Sequence, residues 1–221
     1  LDFVLDYKDV DKDNDGLIDE EHYATNLLSN GDFTKSGESW EMASLSYDVL
    51  ESRSGAESTM LSSTNSHLVS YGSATQVITL ADAGFSDTES LDTVLSGNHM
   101  KVVFGAWHAT SNMNNTLTEI TLTFLDEDGA AIGIPEVLSK AGTLDYEWQR
   151  REGEAVIPAG TRAISYKVEL YEPGYTGIWN RVDDAYVHIQ PAEDNDLDFV
   201  LDYKDVDKDN DGLIDEEHYA T

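Results

Sequence analysis

The chain has 221 residues, 40% of them apolar and four of them tryptophan, with 44 acidic against 13 basic side chains and a formal charge of −31. That apolar content can bury an ordinary core, so the acidity does not describe a disordered tail, while its sign and size argue against nucleic acid or anionic lipid as a partner. Cysteine is absent, which excludes disulfides and thiolate metal sites, and no apolar run is long enough to insert in a bilayer as a helix.

The first element is LDFVLDYKDVDKDNDGLIDEEHYAT, Leu1 to Thr25, and the same 25 residues recur unchanged from Leu197 to Thr221. The sequence therefore reads as one 196-residue period of a tandem array plus the start of the next, with neighbouring repeats of the same protein as its expected partners. Each copy holds nine acids and two lysines, a charge of −7, which repels itself unless cations neutralise it. In the first copy, carboxylates fall at alternate positions, Asp11, Asp13 and Asp15. Gly16 follows, Leu17 offers its backbone carbonyl, and Asp19 adds a direct or water-mediated ligand. Alternate residues point inward at one hard cation, and the glycine permits the sharp turn between them. The number of carboxylates and the flexibility of the loop favour Ca2+ over magnesium. The second copy repeats the set as Asp207, Asp209, Asp211, Leu213 and Asp215.

At the twelfth loop position, where an EF-hand has a bidentate glutamate, this chain has His22. Glu20 and Glu21 stand beside it, and Glu21, with Glu217 in the second copy, joins the candidate ligands. Leu1 to Tyr7 alternates like a strand and no pair of amphipathic helices flanks the loop, which rules down a calcium sensor. The pattern resembles the DxDxDGxxD calcium repeats of thrombospondin type 3 and of bacterial surface proteins. That resemblance implies a calcium-loaded connector in an extracellular, secreted or cell-surface protein, filled at calcium concentrations of roughly 10⁻⁴ to 10⁻³ M.

Between the copies lies one unique stretch, residues 26–196, read as a single domain flanked by connectors at 1–25 and 197–221. Glu51 to Tyr71, rich in Ser, Thr and Gly, reads as a long loop with one short strand around His67 to Tyr71. Thr75 to Leu80 reads as a strand, Leu80 to Leu95 as a weak helix, and Met100 to His108 as a strand. Leu117 to Leu125 sets Ile120, Leu122 and Phe124 against Glu119, Thr121 and Thr123, so one face is buried, and the acidic turn Asp126 to Gly129 ends it. Trp148 to Ile157 follows. After the Pro158-Ala159-Gly160 turn, Ala163 to Tyr171 repeats the period of two through Ile164, Tyr166, Val168 and Leu170. Asp184 to Gln190 is the last strand. Strands at this spacing with glycine-containing turns predict an all-β fold, an antiparallel β-sandwich.

The opening NLLSNGDFTKSGESW at Asn26 to Trp40, the segment WQRREGEAVIPAGTRAISYKVEL from Trp148, and the closing NRVDDAYVHIQ at Asn180 to Gln190 resemble the galactose-binding-like jelly rolls of carbohydrate-binding modules and bacterial adhesins. The resemblance implies that the opening NGxF and closing DD segments lie side by side and share a structural calcium, with Asp32 and Asp184 as ligands and Asp183 as a substitute. It also implies that Trp40 and Trp148 pack in the interior. Sugar-binding members stack rings on exposed aromatics, which makes Tyr171, Tyr175 and Trp179, with Asn180 and Arg181, the candidate glycan contacts, and Trp107 with His108 a separate pair. No GxSxG, HExxH or P-loop pattern is present, and His67, His99, His108 and His188 are scattered singly, so no catalytic activity is expected.

Two functions follow. The identical connectors favour a structural tandem-repeat module, an adhesin stalk or extracellular filament stiffened by calcium, with lateral self-assembly or strand exchange through Leu197 to Tyr203. The alternative is a carbohydrate-binding module of a secreted polysaccharide-active protein, with glycans as the ligand.

Overall fold

The structure is a computed structural model, and it describes residues 26–35, 38–43, 46–48, 60–64, 70–82, 95, 100–110, 117–141, 147–172 and 179–192. Both connector copies, with all their expected calcium ligands, lie outside the described residues, as does Tyr175. Ten strands follow one another: β1 Glu41–Ala43, β2 Ser46–Asp48, β3 Met60–Thr64, β4 Ser70–Thr79, β5 Met100–Thr110, β6 Leu117–Leu125, β7 Ala131–Ala141, β8 Gln149–Val156, β9 Ala163–Glu172 and β10 Trp179–Pro191. They form two five-stranded sheets, the first in the order β1-β4-β9-β6-β7 and the second in the order β2-β3-β10-β5-β8. Every pairing is antiparallel. The expected all-β, jelly-roll type of sandwich is what the chain forms.

Periodicity explains the core. β6 alternates half-buried and buried residues along its whole length, and its Ile120, Leu122 and Phe124 join Ile164, Tyr166, Val168 and Leu170 of β9 beneath the first sheet. The second sheet answers with Met100, Val102, Phe104 and Ala106 of β5 and Val182, Ala185, Val187 and Ile189 of β10. Phe33 and Trp40 plug one side. Their rings are 5.1 Å apart, and Trp40 meets Tyr166 edge-on at 6.1 Å. Buried polar bonds tie the sheets together: the Tyr166 hydroxyl donates to the Gly105 carbonyl at 2.8 Å, and the Thr118 hydroxyl donates to the Asn180 side-chain oxygen at 2.8 Å. Inside a sandwich such groups must be paired, because an unmet one costs more than the bond is worth.

The structure differs from the sequence reading in several places. Glu51 to Tyr71 contains β3, and β4 begins at Ser70, so that stretch holds more sheet than the loop expected there. β7 was not foreseen at all. Of the expected helix, Leu80 stands in a turn and Leu95 is helical, both buried, and the residues between 83 and 94 lie outside the described set. Trp148 is half-buried in a loop instead of packing inside. β10 starts at Trp179, five residues before the expected Asp184.

The last difference positions the site. β10 pairs Asp183 with Trp107 of β5 and then Tyr186 with Gly105, so three steps on one strand face two on the other. This β-bulge puts Asp184 at φ 47°, a left-handed conformation that Asp tolerates better than most residues. It also reverses which residues face inward: Asn180 and Val182 before it, Ala185, Val187 and Ile189 after it.

Candidate functional site

The outer face of the second sheet is read by following the register. Lys101, Val103, Gly105 and Trp107 on β5 stand beside Gln190, His188, Tyr186 and Asp183 on β10, and beside Val156, Glu154, Glu152 and Arg150 on β8. These positions alternate with the core residues of the same strands, so polar and aromatic side chains gather on one surface. A cavity of about 670 Å³ lies over Val103, Arg150, Glu152, Glu154, His188 and Gln190. A second hollow of about 280 Å³ adjoins it, bordered by Asn26, Asp32, Trp107, Asp184 and Tyr186 and sharing Arg150 and His188 with the first. Together they make one trough along β5 from the level of Lys101 to that of Trp107, six residue steps, or about 20 Å.

The floor of the trough is the Tyr186 ring, whose residue is only 8% exposed. It lies over Gly105, where a Cβ would come within 2.6 Å of its hydroxyl oxygen and 2.0 Å of the Arg151 carbonyl oxygen, so no side chain fits there. Arg150 holds its guanidinium carbon 5.2 Å from the ring centroid and donates from Nε to the Tyr186 hydroxyl at 3.1 Å. That hydroxyl in turn donates to Glu152 Oε2 at 2.7 Å, and Arg150 pairs directly with Glu152. His188 stacks on Tyr186, centroids 5.4 Å apart and planes 28° from parallel. At the far end, Lys101 Nζ meets Glu154 Oε2 at 3.1 Å. Burial pushes the Tyr186 phenol up to about 12. The Arg150 hydrogen bond opposes that shift and the Glu152 hydrogen bond reinforces it. The hydroxyl therefore keeps its proton at neutral pH and acts as a bond donor, not as a phenolate nucleophile.

The hollow beside Trp107 is built by the bulge and by the opening segment. Beyond Val182, where the pairing with β3 ends, Asn26 to Gly31 takes over that side of β10. The Ala185 amide donates to the Gly31 carbonyl at 2.8 Å and the Leu27 amide to the Val187 carbonyl at 2.9 Å. The Asn26 side chain accepts from the Val187 amide at 3.0 Å and donates to the Ala185 carbonyl at 2.8 Å. A Cβ on Gly31 would stand 2.1 Å from the Ala185 oxygen, which is why the Asn30-Gly31 turn needs glycine. The opening and closing segments thus lie side by side, and Asp32 and Asp184 border the same hollow. Asp32 Oδ1 accepts from the Thr34 amide and hydroxyl at 3.3 and 3.0 Å. Among the described residues no group of three or more His, Asp or Glu side chains is placed to hold a metal ion. The two carboxylates alone fall short of the about six to eight oxygens that calcium takes.

Of the expected glycan contacts, the described side chains Tyr171, Asn180 and Arg181 are not brought together on one surface. Tyr171 is half-buried on β9 in the first sheet, paired with Tyr71 and Leu117. Asn180 is fully buried in the second sheet, bonded to the Thr118 hydroxyl and, through Nδ2, to the Leu117 carbonyl at 2.9 Å. Its amide is an inter-sheet tie, which removes it from a surface site. Arg181 is 6% exposed and His108 4% exposed, so both are also withdrawn. Trp179 begins β10, and the description there covers only its backbone. Of the separate pair, Trp107 does reach the trough. The sequence reading missed Arg150, Glu152, Tyr186 and His188. Their signal was the polar phase of two expected strands, Arg150-Glu152-Glu154 and Tyr186-His188-Gln190, which only the strand pairing brings to one place.

No family model matches the sequence and no curated protein matches it. Solved structures do share the fold. A family 61 carbohydrate-binding module in complex with β-1,4-galactotriose aligns at a TM-score of 0.50 and 16% identity, over 74% of this chain and 98% of the module. Module 2 of carbohydrate-binding family 16 gives 0.50 at 13% identity, over 73% and 99%. The enzymatically active domain of bacteriophage CBA120 tailspike protein 4 gives 0.51 at 15% identity, over 74% of this chain and 21% of that one. At these identities the likeness shows a common β-sandwich.

Proposed function

We propose that the sandwich is a non-catalytic carbohydrate-binding module that takes a glycan chain along the trough of its second sheet. One observation carries this reading: His188 stacks on a buried tyrosine floor and Trp107 borders the same hollow, with Arg150, Glu152, Glu154 and Gln190 around them. This is the mixture that sugar recognition requires, ring faces for the apolar side of a pyranose and fixed polar groups for its hydroxyls. A trough of about 20 Å suits an oligosaccharide better than a single sugar. The fold shared with carbohydrate-binding modules supports the same reading, and the module named with β-1,4-galactotriose supplies a first ligand to try.

The duplicated connectors favour a second, compatible role. DKDNDG with a further Asp three residues on, present twice without change, fits Ca2+ loops that join consecutive sandwiches in an extracellular repeat protein. In this reading the module displays its glycan site along a stalk or filament.

Binding of the full chain to a polysaccharide panel that includes β-1,4-galactan, followed by calorimetry, tests the first proposal. His188→Ala and Trp107→Ala are expected to weaken binding ten-fold or more, whereas Val77→Ala, an exposed position on the other sheet, should leave it unchanged. Retention of no polysaccharide, or equal loss in all three variants, would overturn the assignment.

A further inference from the structure

The charges of the trough carry a selection rule. Its described lining has one permanent cation, Arg150, against four carboxylates, Glu152, Glu154, Asp32 and Asp184. Arg150 already pairs with Glu152 and bonds the Tyr186 hydroxyl. Lys101, at the far end, is 86% buried along its side chain and sits against Glu154 at 3.1 Å. Anionic ligands are normally recognised by an arginine or lysine whose donors point at the ligand. Here Arg150 in the lining and Lys101 at its end are each held by a carboxylate, and the carboxylates are acceptors suited to hydroxyl groups.

Resting on the reading of the trough as a glycan site, we infer that it selects uncharged sugar chains and turns away those bearing uronate or sulfate groups. A uronate lying along β5 faces four carboxylates, Glu154 towards the Lys101 end, Glu152 beside Gly105, and Asp184 and Asp32 in the hollow beside Trp107, an excess of two after Arg150 and Lys101 are counted against them. The net charge of −31 repels polyanions at longer range, but salt screens that part beyond about 8 Å at physiological ionic strength. The carboxylates in the trough act within that distance. Discrimination therefore persists in salt, which separates local selection from bulk repulsion.

Matched polysaccharides test this with the full chain at physiological salt: β-1,4-galactan against polygalacturonate, and mannan against alginate. At least one uncharged member should bind, with its uronate counterpart at least ten-fold weaker. The double variant Glu154→Gln, Asp184→Asn should raise the affinity for that counterpart and narrow the gap, with an unchanged melting temperature as evidence of intact folding. A uronate polymer bound as tightly as its uncharged partner would overturn the charge selection alone. So would a gap that the folded double variant leaves as wide as before. Failure of both members of every pair would remove the glycan site itself, and the selection with it.

Discussion

Burial and the bond to Glu152 raise the Tyr186 phenol to about 12, and that shift has a measurable sign. In the unfolded chain a tyrosine loses its proton near pH 10. The fold holds the proton more tightly, so its contribution to stability is complete below about pH 10 and is lost as pH climbs toward 12. Tyr166, fully buried and bonded to the Gly105 carbonyl, is also raised well above the usual tyrosine value, by burial. Melting temperature should therefore fall steeply above about pH 10. Tyr186→Phe should flatten part of that slope and leave the share owed to Tyr166; an unchanged slope would show that the phenol is not held as described. The same variant removes the acceptor for Arg150 and the donor to Glu152, a loss of about 1 kcal/mol of positioning. Affinity for the bound glycan is then expected to drop about three- to ten-fold at neutral pH, read by calorimetry.

At the scale of the strand, the bulge in β10 both hid the site from the sequence and built it. Asp184 is held at φ 47° by its neighbours: the Asp183 side chain accepts from the Asp184 amide at 2.8 Å, and Gly31 accepts from the next amide. A β-branched residue resists that conformation, so Asp184→Val is expected to cost about 1–2 kcal/mol in urea denaturation and Asp184→Asn less than about 0.5. Equal costs would mean that backbone strain is not the constraint. The strands that periodicity revealed are those with one face in the core and no interruption; β6, with Ile120, Leu122 and Phe124 inward, is the clearest. β10 was legible only from Asp184 onward, because the inward phase shifts at the bulge and Val182 no longer falls in step with Val187. β7 was illegible for another reason. It is an edge strand exposed over most of its length, and its pairing to β6 breaks where Thr123 faces Gly133, Ile134 and Pro135. With Ile134 87% exposed and Gly133 at φ 73°, no alternation marks it. A bulge with a proline also blunts this edge against strand addition, which weighs against lateral assembly through β7. The trough stayed hidden because its residues come from three strands and the opening segment, and only register joins Arg150, Trp107 and His188.

For the whole molecule, charge and repetition make one claim that can be counted. The two connectors contribute −14 of the −31, and identical sequences should bind calcium with the same intrinsic constant. Titration of the full chain with calcium should therefore show two equivalent sites, at roughly 10⁻⁴ to 10⁻³ M for loops of this kind. Asp13→Asn with Asp15→Asn should leave one site, and the same pair of changes at Asp209 and Asp211 as well should leave none. Calcium that remains bound after both loops are disabled would have to be held elsewhere, and Asp32 with Asp184 is the first place to look, since the fold brings those carboxylates to one hollow. The mechanical consequence follows from the same loops. If the loops take calcium as proposed, the ion would offset the self-repulsion of the nine acids that each connector sets against two lysines, and the joint between repeats should gain a fixed shape. In a protein of several repeats, X-ray scattering should record a longer maximum dimension in calcium than in chelator. The loop variants should scatter like the chelated protein under both conditions. A dimension indifferent to calcium would reduce the connectors to acidic spacers and leave the glycan trough as the module's whole function.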